Sequence, residues 1–153
     1  MTASDYQPLV DGEVEIEPAD DGSEELLFRQ MTDLIWDSDS RTPVSHAFGP
    51  KNIDAGAPSF TRSAVVNAQE SRDWHNANAS RASLAVWACS IQDVVKTGTR
   101  AIDDSKAPLQ EGKTRAPGHA YVDFRHLNRT SEKYVRHQLL QAALKRGEQN
   151  TTP

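Results

Sequence analysis

Gly118-His119-Ala120-Tyr121-Val122-Asp123-Phe124-Arg125 alternates apolar Ala120, Val122 and Phe124 with the polar-tipped His119, Tyr121, Asp123 and Arg125, the two-residue period of a strand buried on one face. Pro117 and Gly118 keep a helix from running into this stretch, and residues 128–131 then offer capping side chains for a following helix. With the apolar set turned inward, His119, Asp123 and Arg125 share the opposite face. That face is where chemistry is expected.

Downstream, the spacing predicts a helix over 131–146. Thr130 or Ser131 caps it, Glu132 suits the first-turn dipole and pairs with Arg136, Lys145 and Arg146 suit the last turn, and Gly147 ends it. Val135, Leu139, Ala142, Ala143 and Arg146 form its inward stripe, widened by Leu140 and Leu144. Around its start, Arg125, Arg129, Lys133, Arg136 and His137 gather as the candidate partner-binding face, suited to acidic protein or phosphate.

Upstream, Leu26-Leu27-Phe28-Arg29-Gln30-Met31 reads as the first core strand, with Arg29 as a fixed cation that could grip a phosphate or carboxylate or form an ordinary structural ion pair. Trp36 is expected to sink a turn or short helix onto the body. Pro43 and Gly49-Pro50 bracket a short strand or ordered loop containing Ser45 and His46, which as sequence neighbours on an extended chain point to opposite faces. A short strand at 59–62, a helix over about 66–82 held by Trp74, a central strand over 84–91, a short helix that Ser90 caps, a brief strand at 101–102 and a loop over 103–116 complete the order.

The chain has 153 residues, enough for one domain with a real core. Its net charge of −5 is unevenly spread: nine of the 22 acids and none of the 17 Lys and Arg fall in residues 1–25. The remainder is mildly basic. We therefore expect a flexible, disordered acidic arm over 1–23, in which Val14 and Ile16 could add a strand to a sheet edge, one α+β domain over 24–147, and a disordered tail over 148–153. The expected fold is a small mixed or antiparallel sheet of about four to six short strands, packed by two or three helices that include the C-terminal one.

Several chemistries have no motif here. Gly-rich phosphate loops, a dinucleotide fingerprint, His-Glu-x-x-His and EF-hand loops are absent. The five histidines lack metal-ligand spacing, and Cys89 stands alone as a core thiol, so neither a metal nor a cofactor is expected. No apolar run reaches the roughly 18 residues of a membrane span, and no signal segment opens the chain; the expectation is a soluble, cytoplasmic protein. Nucleic acid is a weak fit for so mild a basic excess without interleaved aromatics.

Leu27-Phe28-Arg29-Gln30, Val44 to Phe48, Ser59-Phe60-Thr61, the Ala-Val-Trp strand and the closing His119-Ala120-Tyr121-Val122-Asp123-Phe124 with its basic helix follow one another in an order that resembles a group of small bacterial proteins with a closing His-Ala-x-x-Asp-Phe strand. The resemblance covers about residues 26–146 and implies one compact domain; it brings no activity with it. Two function classes follow from the residues. The first is a non-catalytic binding or accessory protein whose partner is another protein, met through the arm and the basic helix. The alternative is a small transferase or hydrolase using Arg29, His46, His119 and Asp123, with Arg29, His46 and His119 expected at one cleft. A core-strand arginine followed by a serine-containing strand is similar to ADP-ribosyltransferases, where an early Arg or His grips the dinucleotide and a later acid orients the acceptor. The later Glu of that family has no counterpart here, since Asp123 is shorter and Glu111 lies in a loop.

Overall fold

The computed structural model describes residues 5–153. In chain order the elements are β1 (Val14–Glu15), β2 (Leu26–Met31), β3 (Trp36–Asp37), β4 (Thr42–Pro43), β5 (Ser59–Arg62), α1 (Ala68–Asn78), β6 (Ala85–Ser90), α2 (Ile91–Lys96), β7 (Ala101–Asp103), β8 (His119–Val122) and α3 (Arg129–Arg146). The fold is α+β. Six strands form one sheet in the order β1-β7-β8-β5-β2-β6, every neighbouring pair antiparallel, and β3 with β4 makes a separate hairpin.

Strand alternation divides this sheet into two unlike faces. Leu27 and Met31 of β2, Phe60 of β5, Ala85, Trp87 and Cys89 of β6, Ala101 of β7, and Ala120 and Val122 of β8 share one face, where they meet Ile91 and Val94 of α2 and Val135, Leu139, Leu140 and Ala143 of α3. This is the core, and its driving force is the removal of these side chains from water. The opposite face holds a small apolar cluster of Phe28, Val86 and Ala88 with Leu26 and Ala68 against it. Beyond that cluster the face turns polar. Thr61 and Gln30 bond the Ser71 hydroxyl of α1 at 2.6 and 2.9 Å.

The helices begin where side-chain oxygens can satisfy their free N–H groups. Asn67 and Glu70 form a capping box on α1, Ser90 and Asp93 form another on α2, and Asn128 caps α3 by accepting from Ser131 N at 2.8 Å. Of the capping side chains at 128–131 the first, Asn128, is the one used, two residues before Thr130, because it is the residue held extended by the turn after β8.

The strand expected to be central, β6, sits at the edge of the sheet. Its six residues are nonetheless all buried, because α1 and α3 cover its faces and the chain end runs along its free side. Gln149 N donates to Val86 O at 2.8 Å, Arg72 Nη1 donates to Thr151 Oγ1 at 2.8 Å, and Thr152 N donates to Gln69 Oε1 at 2.8 Å. The stretch 148–153 is therefore tied to the body. At the other edge, the strand that Val14 and Ile16 suggested is β1, paired with β7, and Ile16 is buried in the core. Tyr6 donates to Gly98 O at 3.1 Å while its ring lies 4.2 Å below the Arg100 guanidinium carbon. Gly12 has φ +89°, and a Cβ there would collide with the Lys106 carbonyl, so only glycine lets this segment cross the 103–116 loop. Residues 1–4 of the expected arm lie outside the described residues. No described helix is long and apolar enough to cross a membrane.

Candidate functional site

On the polar face, register alone assembles three side chains from three adjacent strands. In the β5–β8 pair Ser59 stands opposite Tyr121 and Thr61 opposite His119, so Ser59 and His119 are diagonal neighbours on one face. In the β7–β8 pair Asp103 stands opposite Ala120, and one step further the same register brings Asp104 opposite His119. The side chains close the gap. His119 Nδ1 lies 2.6 Å from Asp104 Oδ1, and His119 Nε2 lies 3.0 Å from Ser59 Oγ.

A carboxylate only accepts, so Nδ1 carries the proton and donates to Asp104. In the neutral ring Nε2 is then the bare nitrogen and accepts from the Ser59 hydroxyl. The arrangement is a nucleophile, a base and an orienting acid joined by consecutive hydrogen bonds. His119 and Asp104 are mostly shielded, with side chains 20% and 15% exposed, while Ser59 is exposed.

The three residues line a cavity of about 480 Å³ between the sheet, α1 and the 103–116 loop, a size suited to a small molecule. Phe28, Trp74 and Leu109 supply apolar wall and Lys51, His75 and Arg115 its other basic groups, while Arg29 and Phe60, which strand parity places on the core side, also reach its wall. His75 Nε2 lies 2.7 Å from the Arg81 carbonyl, and burial lowers the pKa of this ring.

Arg29 and His119 both line this cavity, and His46 and Asp123 do not. His46 is exposed in the turn that follows β4, where its carbonyl accepts from Gly49 N at 3.0 Å. Arg29 departs from the structural ion pair offered for it. It is only 6% exposed, yet no carboxylate pairs with it among the described residues. Its Nε donates to Ala47 O at 3.0 Å, Nη1 to Ser59 O at 2.8 Å and Nη2 to Gly49 O at 3.4 Å. Burial lowers its pKa, with Asp54 the largest opposing charge. One of those bonds fixes the backbone of Ser59 itself.

Asp123 lies outside this cavity, fully buried. Arg125 Nε and Arg100 Nε donate to its two oxygens at 2.9 and 3.0 Å, Arg125 N adds a third bond at 3.1 Å, and the Thr99 hydroxyl donates to its carbonyl at 2.5 Å. Burial pushes this carboxyl up, but the hydrogen bonds from Arg125 and then Arg100 outweigh it, so its pKa is lowered. Every acceptor site is used, which suits a structural tie. Cys89 is also fully buried, and burial raises its thiol to about 12, which leaves it protonated.

Of the basic residues around α3, Arg125 is tied to Asp123, Arg136 lies 4.0 Å from Glu132, and Arg129, Lys133 and His137 stand exposed along one side of the helix. No group of three or more His, Cys, Asp or Glu among the described residues is arranged to hold a metal ion. Ser59 and Asp104 were missed from sequence. Their signals, a serine opening a short strand and an acid just after another, gain meaning only once β8 is known to lie between β5 and β7. No family model, no curated protein and no solved structure matches this chain.

Proposed function

We propose that this chain is a serine-dependent acyl hydrolase or acyltransferase, with Ser59 as nucleophile, His119 as general base and Asp104 as the group that orients the imidazole. The observation that carries the reading is the pair of hydrogen bonds, Ser59 to His119 at 3.0 Å and His119 to Asp104 at 2.6 Å, at the wall of a cavity. It belongs to the enzyme alternative raised from sequence and keeps His119, with Ser59 and Asp104 in place of His46 and Asp123.

Ser59 Oγ attacks the acyl carbon while its proton passes to His119 Nε2. The bond to the leaving alcohol or amine then breaks, and His119 returns the proton to that group. Water, or a second alcohol in a transferase, attacks the acyl-serine with His119 again as base, which releases the acyl group and restores the hydroxyl. Asp104 stabilises the imidazolium without itself taking the proton. Arg29 is a positioning residue, acting on Ser59 through its carbonyl.

The binding-protein reading has the exposed Arg129, Lys133 and His137 in its favour, but a solvated helix face has the same composition. The test is turnover of 4-nitrophenyl acetate. A burst of nitrophenolate equal to the enzyme added, followed by a slower steady rate, is expected, and it disappears in Ser59→Ala. A steady release without a burst that Ser59→Ala leaves intact overturns the reading.

A further inference from the structure

The cavity is charged differently from the chain around it. Arg29, Lys51 and Arg115 line it against Asp54 and Asp104, whereas the chain as a whole carries 22 acids and 17 Lys and Arg. Both acids are already engaged: Asp104 accepts from His119, and Asp54 accepts the Lys51 backbone N–H at 2.7 Å. The cations contact no carboxylate among the described residues. Arg29 uses three of its five N–H groups on main-chain carbonyls and has no carboxylate contact among the described residues. Among the described residues Arg115 uses only Nη1, on the carbonyls of Ser105 and Ala107 at 3.3 and 2.8 Å. The Lys51 ammonium forms no ion pair among the described residues. Asp54 acts on the buried Arg29 only from beyond ion-pair distance, which is costly for a guanidinium, and an anionic ligand lowers that cost.

We infer that the substrate is a small acyl compound carrying a second, anionic group, a carboxylate or a phosphate, held by Lys51 and Arg115 over the fixed charge of Arg29 while the acyl carbon faces Ser59. A sphere of about 480 Å³ would be only about 10 Å across, so an anion held at Lys51 and Arg115, which line the same cavity as Ser59, is placed within the reach of a small two-headed molecule. Phe28, Trp74 and Leu109 contact the apolar part between the two groups. The placement of the acyl carbon rests on the acyl-transfer reading; the anion site rests on the charge and hydrogen bonding of the cavity alone.

Two measurements separate these. In the first, 4-nitrophenyl hydrogen glutarate is compared with the near-isosteric neutral 4-nitrophenyl pentanoate, each rate taken above the uncatalysed one. The charged ester is expected to have at least about a ten-fold higher kcat/KM, the scale of one well-placed charge-assisted hydrogen bond, and the ratio falls towards one in a Lys51→Gln/Arg115→Gln double variant whose thermal midpoint shows it folded. In the second, Ser59→Ala, which has no nucleophile, is titrated calorimetrically with glutarate and with inorganic phosphate. Saturable binding that the double substitution removes supports the site, and the tighter of the two ligands identifies the anion. Anion binding together with burst-free nitrophenolate release that persists in Ser59→Ala leaves the anion site standing and removes the acyl-transfer reading. Equal or lower kcat/KM for the charged ester, with no binding of either anion, overturns the inference while leaving the acyl-transfer reading untouched.

Discussion

Asp123 and Asp104 follow adjacent strands, β8 and β7, one residue past the end of each, yet their surroundings differ in every respect that decides what a carboxylate does. Asp123 is out of contact with water, held by two guanidiniums and a backbone N–H. Asp104 has one described side-chain partner, His119, and both line a cavity. The first arrangement spends the charge on stability; the second leaves it able to steer a proton. An acid that faces a histidine and open space is the better candidate for chemistry than one whose bonds are complete.

The comparison breaks most visibly at Asp104. Asp104→Asn should lower the burst rate by about 10³- to 10⁴-fold, because an amide no longer holds the proton on Nδ1, while urea unfolding shifts by less than about 1 kcal/mol. Asp123→Ala is expected to do the reverse at the level of the fold. It strands Arg100 and Arg125 beside a buried site and should cost about 3–5 kcal/mol in the same urea titration. A small cost there would mean that the buried ion cluster is dispensable.

Arg29→Met tests the third buried charge. It leaves three carbonyls without a donor and should cost about 3 kcal/mol or more, measured again by denaturant. Acid sharpens the contrast further. The folded pKa of Asp123 is depressed, so its contribution is complete above the unfolded-state value near ~3.9 and is lost as pH falls through the lower folded value. Between about pH 4 and pH 2 the wild-type protein should therefore lose stability more steeply than Asp123→Asn, and parallel slopes would contradict the tie. The smallest expected effect is at Cys89. Its buried, protonated thiol should resist iodoacetamide at pH 8 until the chain unfolds, so that any covalent labelling of the folded protein points to another nucleophile.

Much of this fold was legible in the sequence. The period of two in 118–125 named β8 and its buried Val122 and Phe124, the apolar run of 26–31 named β2, and the caps and Gly147 bounded the helices within a few residues. Arg29 and His119 were both singled out, and both line the cavity. Strand order was not legible, because it is set by long-range pairing. A run as apolar as 84–91 reads as central, but burial of β6 comes from the chain's own end lying beside it. The same gap hid the site. Asp123 shares the parity of His119 within one strand, and parity favoured it; Asp104 reaches His119 only across a strand pair, a relation invisible without the register. His46 was drawn in because Ser45 adjoins it, although proximity along an extended chain separates side chains.

The central claim is that Ser59 is activated by His119, and a fluorophosphonate tests it most directly because the probe reacts with activated serines and stays attached. After incubation of the full chain, digestion and peptide mapping, the account predicts one adduct, on Ser59, formed in the wild-type protein and lost in folded His119→Ala. No adduct on the folded wild-type chain, or one on Ser59 that forms equally fast without His119, would contradict it.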